Sequence, residues 1–299
     1  MSSTSPIDLA AAARFMASHA RQLDRRRWEL LTGPGDPEAL LAALDGYRNP
    51  DGGYGWGLEP DLRSPESQPA GALHAMEVFA EAGPVRTSRV RELCDWLESV
   101  SLPDGGLPFA LPVTEPAGCA PWWTGADPTA SSLQITAAVT GMAHRAAAHH
   151  PEIAAHPWLQ RATGYCLDAI GALETTPPAL VLAFAIQFLD AVHDIRPEAA
   201  GLLADLLRRL PPDGVVHVEG GTENEVLRPL DFVPFPGPAR DLFDPALIDA
   251  ELDRLAARQR PDGGWTVEYA TASPAAALEW RGYITVRAVA LLRSARRIG

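Results

Sequence analysis

The sequence predicts an all-α protein built from repeated pairs of helices, and two observations support this prediction. The phrase Pro-Asp-Gly-Gly recurs along the 299-residue chain, each time after a stretch with helical character. Complete copies stand at residues 50–53, 103–106 and 261–264, and a degraded copy stands at residues 212–215. Between the copies, apolar residues recur at the spacing of an α-helix.

The repeat length follows from the aspartates of these phrases. Asp51 and Asp104 are 53 residues apart, and Asp213 and Asp262 are 49 apart. The middle interval of 109 residues holds two periods, so the chain contains about six units of about 50 residues each. In each turn the Asp carboxylate can accept local backbone N–H groups, and the glycines can adopt positive φ where a helix ends.

The helical segments are justified in chain order by their apolar patterns. Residues 70–80 are largely apolar. The next segment is amphipathic, with apolar residues at i, i+3, i+4 and i+7, namely Val90, Leu93, Cys94 and Leu97. Residues 135–142 and 178–189 are apolar on every side, which predicts helices that are covered all round. The proline-rich residues 228–238 predict a long loop.

Asp244 and Pro245 form an N-cap and N1 pair for a further helix, which carries Ile248, Leu252 and Leu255. One amphipathic helix, one turn and one more apolar helix make a unit that cannot bury its apolar face alone, so neighbouring units must stack. About twelve helices in two layers can then close into a ring around a cavity. We predict a single domain over residues 1–299.

Composition and charge restrict the possible partners. A net charge of −13 disfavours nucleic acid and anionic membranes, because both require a basic face. All 25 basic residues are arginine, which excludes a lysine Schiff base and a P-loop. The apolar runs are too short for a transmembrane segment, and the N-terminus does not resemble a signal peptide. Cysteines 94, 119 and 166 are widely spaced and odd in number, which indicates reduced thiols and a cytoplasmic location.

A family resemblance rests on residues 259–265, Gln-Arg-Pro-Asp-Gly-Gly-Trp. This segment resembles the glutamine–tryptophan repeat of squalene and oxidosqualene cyclases, which protein prenyltransferase β subunits carry in degenerate form. The four turn phrases extend the resemblance weakly over most of the chain. The resemblance implies an α/α toroid of about six helix pairs around a central cavity, and a terpenoid-cyclase-like protein.

The same resemblance implies a proton donor. Residues 125–130, Gly-Ala-Asp-Pro-Thr-Ala, are similar to the Asp-x-Asp-Asp-Thr-Ala motif of class II terpene cyclases, with Gly125 and Pro128 in place of two of its acids. Asp127 then takes the position of the catalytic acid. Trp122 and Trp123 would wall the site, and desolvation by their indoles would raise the pKa of the carboxyl group. The alternative is that Asp127 only caps a helix with Pro128 at N1, where the helix dipole would lower the pKa.

A second polar constellation follows the first turn phrase, just before the apolar residues 70–80. We place Glu59 and Asp61 among the catalytic candidates here, and Trp56, Arg63 and Gln68 among the substrate-binding candidates. Such a loop is expected at a cavity mouth. In the alternative interpretation, Asp61 and Arg63 only lock the loop.

Further substrate-binding candidates lie later in the chain: Gln134, Arg228, Asp231, Phe232, Glu279, Trp280 and Arg281. In a closed ring the starts of the inner helices converge on one rim, so Glu59, Asp127, Asp231 and Glu279 are expected to share a space. Crowded carboxyl groups raise the pKa of at least one of them. The scattered histidines offer no i, i+4 ligand pair with a third group, so neither a metal nor another cofactor is predicted.

The expected function is acid-initiated cyclisation or isomerisation of a small apolar or isoprenoid-derived substrate. Asp127 would donate the proton, and Arg63 or Arg281 would orient an anionic end of the substrate. The indole rings of Trp122, Trp123 and Trp280 would stabilise positive charge. One alternative is a hydrolase or lyase that uses the same carboxylate-lined cavity. Another is a non-catalytic toroid that binds a lipid or a protein.

Overall fold

The computed structural model describes residues 7–298, and it confirms the all-α prediction. The first helices are α1 Leu9–His19, α2 Gln22–Thr32, α3 Pro37–Leu44, α4 Pro69–Ala82, α5 Arg89–Val100, α6 Pro121–Thr124, α7 Leu133–Ala147 and α8 Pro151–Ala154. They are followed by α9 Pro157–Gly171, α10 Ala179–Val192, α11 Ala199–Arg208, α12 Pro229–Phe232, α13 Pro238–Asp241, α14 Pro245–Ala257 and α15 Pro274–Ser294. One 3₁₀ helix, Asp45–Tyr47, follows α3. A short hairpin pairs β1 Val216–His217 with β2 Val226–Leu227 in antiparallel register.

Short polar side chains set several helix starts. The predicted N-cap at Asp244 is confirmed, since its carboxylate accepts from the Ala246 N–H at 2.9 Å, and Pro245 occupies N1. Asp36 caps α3 in the same way, before Pro37. These caps satisfy backbone donors that have no partner inside the helix.

The repeated turn has the predicted construction at each copy. The aspartate accepts a hydrogen bond from the backbone N–H two residues on, at 2.9–3.1 Å for Asp51, Asp104, Asp213 and Asp262. The first glycine of each turn has positive φ, between 64° and 96°. An L side chain adopts such a backbone conformation only with strain, so the glycines are required by the turn.

Each complete turn also packs against a helix from another part of the chain. A methyl group at Gly52 would come within 2.7 Å of the Glu92 carbonyl oxygen on α5, and one at Gly105 within 2.9 Å of the Arg161 carbonyl oxygen on α9. In the last copy, Gly263 meets the backbone of Ala11 on α1 in the same manner. The last turn therefore contacts α1 in the same way as the first two complete turns contact α5 and α9.

The longer helices pack in sequence. α4 lies against α7, and α7 lies against α10. α10 contacts α11 and α12, and α12 contacts α14, which contacts α15. α15 packs against both α1 and α2, so the two ends of the described chain meet. Two clusters of buried apolar residues run through this assembly, one around α10 and α15 and one around α4 and α5.

Two details of the predicted fold are wrong. Residues 228–238 are not a continuous loop, because Arg228 and Asp231 hydrogen-bond to each other and start the short helix α12. The helix predicted over residues 178–189 exists as α10, but it is not covered all round. Val181, Phe184 and Gln187, spaced three residues apart, form a half-buried stripe along one side. Within residues 7–298, each helix is either too short or too polar to cross a bilayer.

Candidate functional site

Five polar side chains from distant parts of the sequence meet in the interior where α4 and α15 approach the loop of residues 54–68. We name them the carboxylate–histidine cluster; its members are Glu59, Asp61, His74, Glu77 and Tyr283. Glu59, Asp61, His74 and Tyr283 are at most 9% exposed, and Glu77 keeps 17% of its side chain open. Buried ionisable groups of this kind are retained only where they are paired.

His74 is the centre of the cluster. Its Nε2 lies 2.9 Å from a Glu59 carboxylate oxygen, and its Nδ1 lies 2.9 Å from a Glu77 oxygen. Burial alone would lower the pKa of His74, but the two carboxylates outweigh it and raise the pKa to about 9. The imidazole is therefore a cation at neutral pH.

Glu77 is held as an anion by several partners. Burial would raise its pKa, yet His74, Arg27 and the Tyr283 hydroxyl together lower the pKa to about 2. Tyr283 donates to Glu77 at 2.8 Å, and the Arg27 guanidinium lies 4.8 Å from the centre of the Tyr283 ring. The cluster thus contains an anion–cation–anion series that ends on a tyrosine hydroxyl.

Asp61 differs from Glu77 in its electrostatics. Desolvation raises the pKa of Asp61, and the neighbouring charges of Glu59 and Glu279 raise it further. Its oxygens accept from the Ala272 backbone N–H at 2.6 Å and from the Trp280 indole N–H at 2.7 Å, which oppose that shift. Asp61 is therefore a buried carboxyl group that binds its proton more firmly than an exposed aspartate does, next to Glu59, whose carboxylate accepts from the Asp61 backbone N–H at 3.1 Å.

Aromatic rings wall the cluster. Trp280 packs edge to face with Tyr269 at 5.5 Å and with Tyr283 at 5.3 Å between ring centroids. The imidazole of His74 also packs edge to face against Trp280 and Tyr283. Apolar walls strengthen charge interactions, because they exclude water from between the charges.

Partly exposed polar side chains of α15, α12 and α10 meet beside the cluster, and we name the place between Arg287, Asp231 and Gln187 the recess. Arg287, one turn beyond Tyr283 on α15, lies 3.6 Å from Asp231 and keeps 33% of its side chain open. Gln187 on α10 donates to the Asp231 backbone carbonyl at 2.7 Å. These contacts bring α10, α12 and α15 to the same recess.

The structure brings together several of the predicted site residues. Glu59, Asp61 and Trp280 lie in or against the cluster. Glu279 pairs with Arg63 at 2.7 Å and is close enough to Asp61 to raise its pKa. Asp231 is connected to the cluster through Arg287.

Asp127 does not join them, and the predictions about its surroundings are wrong. It does not begin a helix, because α7 starts at Leu133 and residues 127–130 form an exposed turn. Its carboxylate accepts from the Thr129 hydroxyl at 2.7 Å and from the Thr129 backbone N–H at 2.8 Å. These bonds lower the pKa of Asp127, whereas a proton donor needs it raised.

The two tryptophans before Asp127 do not enclose it either. Trp122 is 48% exposed, and Trp123 stacks on Phe109 with ring centroids 4.6 Å apart. Trp56 is 59% exposed, with its indole N–H bonded to the Asn49 side chain at 2.7 Å. None of these three rings belongs to the carboxylate–histidine cluster.

The remaining candidates are held by protein contacts. Gln68 bonds to both backbone groups of Leu111, and Phe232 is fully buried in the apolar core. Arg281 forms an ion pair with the turn residue Asp262 at 2.7 Å. Arg228 lies 3.6 Å from Glu251. Gln134 is half-buried in the first turn of α7.

Sequence reasoning missed His74, Glu77 and Tyr283, together with Tyr269, Arg27 and Arg287. A signal was present, because His74 and Glu77 are the two ionisable residues within the apolar residues 70–80 and stand at positions i and i+3, so they share a face. Two ionisable residues on the buried face of a helix require partners. Nothing local identifies those partners, which lie on α2, on α15 and in the loop of residues 54–68.

A groove of about 480 Å³ lies elsewhere, between α5, α8 and α9, and it is lined mainly by charged residues. His156 and Arg91 there both face Asp95, at 3.1 Å and 3.7 Å. The side chains of Arg91 and Asp95 are 69% and 56% exposed, so water screens their charges, and we place the site at the buried cluster. No set of three His, Cys, Asp or Glu residues within the described part of the chain is arranged to hold a metal ion.

No protein-family model matches the sequence, and no curated protein is significantly similar to it.

Proposed function

We propose that this protein is an α/α toroid and an enzyme that carries out acid–base chemistry on a small molecule held in its interior. The toroid is supported by the sequential packing of the helices and by the meeting of α15 with α1 and α2. It is further supported by Gly263, which contacts α1 as Gly52 contacts α5. In this arrangement α2, α4, α7, α10, α12 and α15 form the inner layer.

The single observation that carries the proposed activity is the position of His74. Each of its ring nitrogens lies 2.9 Å from a carboxylate, of Glu77 and of Glu59, and the Glu59 carboxylate accepts from the backbone N–H of a third acidic residue, Asp61, whose side-chain pKa is raised. General acid–base catalysis requires groups whose proton affinity has been moved toward working pH by burial and by neighbouring charges. Within the cluster Asp61 is shifted in that direction, because its pKa is raised, whereas His74 and Glu77 are held in their charged forms and the pKa of the exposed Asp127 is lowered.

The proposed roles follow from the electrostatics. Asp61 is the group that donates a proton to the substrate and recovers one from it. Glu59, His74 and Glu77 form a relay that keeps one proton stored beside Asp61. Trp280, Tyr269 and Tyr283 exclude water and stabilise positive charge that develops on the substrate.

The reaction class proposed is cyclisation, isomerisation or lyase-type elimination of a small apolar or isoprenoid-derived substrate. An isomerisation or a cyclisation that ends in deprotonation takes up one proton and releases one, so the cluster can return to its starting state after each turnover. The proposal requires no cofactor. A cytoplasmic location accompanies it and rests on the cysteine content alone.

A second candidate is a non-catalytic toroid that binds a small molecule. It is favoured by one observation: both nitrogens of His74 and both oxygens of Glu77 have protein partners. In this alternative the cluster has a purely structural role and holds α4 to α15. In that case the recess beside Arg287 would bind a ligand without converting it.

The deciding experiment is native mass spectrometry of ligands retained by the purified protein, for the wild type, Asp61→Asn and His74→Gln. We expect a precursor to accumulate on both variants while the wild type carries product. Asp127→Asn is the matched control, because it makes the same chemical change at an exposed site. If all four proteins are folded and retain the same ligands, the acid–base proposal is wrong, and the second candidate, a toroid that binds a small molecule without converting it, is supported.

A further inference from the structure

Two hydrogen-bond donors face the recess without protein acceptors. The Arg287 guanidinium reaches Asp231 only at 3.6 Å, which is too long for a hydrogen bond, and no other acceptor within residues 7–298 receives one from it. The Tyr269 hydroxyl likewise has no hydrogen bond in that part of the chain. Neither group is sealed from water, in contrast to the orphaned indole nitrogens of Trp123 and Trp158.

The two donors point to one place. Trp280, Tyr283 and Arg287 stand at i, i+3 and i+7 and therefore share one face of α15. Tyr269 packs edge to face on Trp280 at 5.5 Å. Arg287 and Tyr269 each influence the pKa of the other, so their polar ends lie within electrostatic range.

A comparison with Arg27 shows that Arg287 is unusual in this interior. Arg27 is 6% exposed and makes two hydrogen bonds to Glu81, at 2.6 and 2.7 Å. Its donors are used within the protein, and it stabilises the fold. Arg287 lies near Tyr283, as Arg27 does, but a third of its side chain is exposed, and its guanidinium N–H groups donate no hydrogen bond within the described residues.

We propose that Arg287 and Tyr269 bind an oxyanion group of the substrate, a carboxylate or a phosphate. The proposal rests on the proposed function, since it names the substrate class of the same site. The planar guanidinium matches two oxyanion oxygens at once, and the tyrosine hydroxyl supplies a further donor. With the anionic end at Arg287, the apolar body of the substrate would lie along Tyr283 and Trp280 and reach Asp61.

Asp231 has a defined part in this arrangement. It faces Arg287 at 3.6 Å, a distance that gives attraction without a hydrogen bond. It therefore holds the charge of Arg287 in place and leaves the N–H groups free. A ligand carboxylate or phosphate completes the hydrogen bonding that Asp231 does not provide.

The test is site-resolved reaction of the native protein with phenylglyoxal, which modifies arginine, followed by peptide mass spectrometry. Inorganic phosphate and acetate are the protecting probes. We expect Arg287 to react and its reaction to slow by about threefold at an anion concentration of twice the dissociation constant. Arg86, which is exposed, should react without protection, and Arg27 should not react.

Each outcome decides. Protection by phosphate alone or by acetate alone assigns a phosphorylated or a carboxylated substrate, and protection by both assigns the wider oxyanion class. In Tyr269→Phe we expect the anion concentration needed for protection to rise by about tenfold, the effect of losing one hydrogen bond to a charged group. An Arg287 that does not react, or that reacts equally with and without anions, overturns the proposal.

This test is separate from that of the acid–base function, because it measures no turnover. Protection of Arg287 together with unchanged ligand conversion in Asp61→Asn would leave an anion-binding toroid without the proposed catalysis. Loss of conversion in Asp61→Asn without protection at Arg287 would leave the enzyme with an uncharged substrate.

Discussion

Tyr283 donates a hydrogen bond of 2.8 Å to Glu77 and so joins α15 to α4 across 206 residues of sequence. This contact connects the end of the described chain to its first third, at the point where Glu77 also accepts from His74. The same bond therefore belongs to two features, the meeting of the chain ends and the buried ionisable cluster.

Removal of His74 should strongly destabilise the protein. In His74→Gln the carboxylates of Glu59 and Glu77 lose the cation between them, and an uncompensated buried charge costs about 3–5 kcal/mol. The measurement is the free energy of unfolding in urea. His193→Gln is the control, because His193 pairs only with the exposed Asp194, and a change within about 0.5 kcal/mol is expected. Equal stability of the two variants would show that the cluster contributes nothing to folding.

The same residue gives a pH dependence with a definite sign. The pKa of His74 is raised from 6.5 to about 9, so its contribution to stability is complete below pH 6.5 and is lost as the pH rises toward 9. The groups that face it are Glu59, Glu77, Arg27 and Tyr283. The measurement is the unfolding free energy from pH 6 to pH 9.5. In His74→Gln this fall should be absent, and a wild type that is equally stable over the range would contradict the assignment.

Glu77 predicts a second and opposite dependence in acid. Its pKa is lowered from 4.5 to about 2, so its contribution is present above pH 4.5 and is lost as the pH falls toward 2. We expect the stability of the wild type to decrease over that interval. In Glu77→Gln the decrease should be smaller, and the difference between the two curves gives the contribution of Glu77 to the free energy of unfolding. Parallel curves would show that the carboxyl group is not held as an anion.

The junction of the last turn with α1 can be tested through its glycine. Gly263→Ala places a methyl group at a φ of +96° and against the Ala11 backbone, and we expect a loss of at least about 1–2 kcal/mol of stability. Gly52→Ala should cost a similar amount, because the same contact is made to Glu92 on α5. Gly164→Ala is the control: this residue lies inside α9 with open space around it, so a gain of about 0.5–1 kcal/mol is expected. A neutral Gly263→Ala would argue against closure at α1.

The three cysteines should differ in reactivity. Cys94 and Cys166 are fully buried; burial raises the pKa of the Cys94 thiol to about 12 and raises that of Cys166 strongly. Cys119 is only partly buried, and its pKa is raised less by its surroundings. We therefore expect a thiol reagent at pH 8 to modify Cys119 alone in the native protein, and all three thiols after denaturation. Modification of Cys94 at the rate of Cys119 would contradict the buried position of α5.

The residues around Asp127 show why a local motif was not sufficient. The motif predicted a helix start at Pro128, but the Ser131 hydroxyl bonds to Asp104 of the second turn at 2.6 Å, and the Ser132 N–H bonds to the Leu107 carbonyl at 2.8 Å. These long-range bonds hold residues 131 and 132 against the turn and delay the start of α7 to Leu133. Asp127 is left in the preceding exposed segment, where it bonds only to Thr129.

The sequence by itself determined the turns and many of the helices, because their causes are local. An aspartate two residues before a free N–H, a glycine at positive φ and a proline at N1 act within a few residues. The sequence also located Glu59 and Asp61 in a loop that proved to be part of the cluster. Only the tertiary structure decided which ionisable groups became chemically distinct, since proton affinity depends on desolvation and on partners from elsewhere in the chain. His74 acquires its character from Glu59, Glu77 and the rings of α15, and Asp127, which lacks such neighbours, remains an ordinary surface carboxylate.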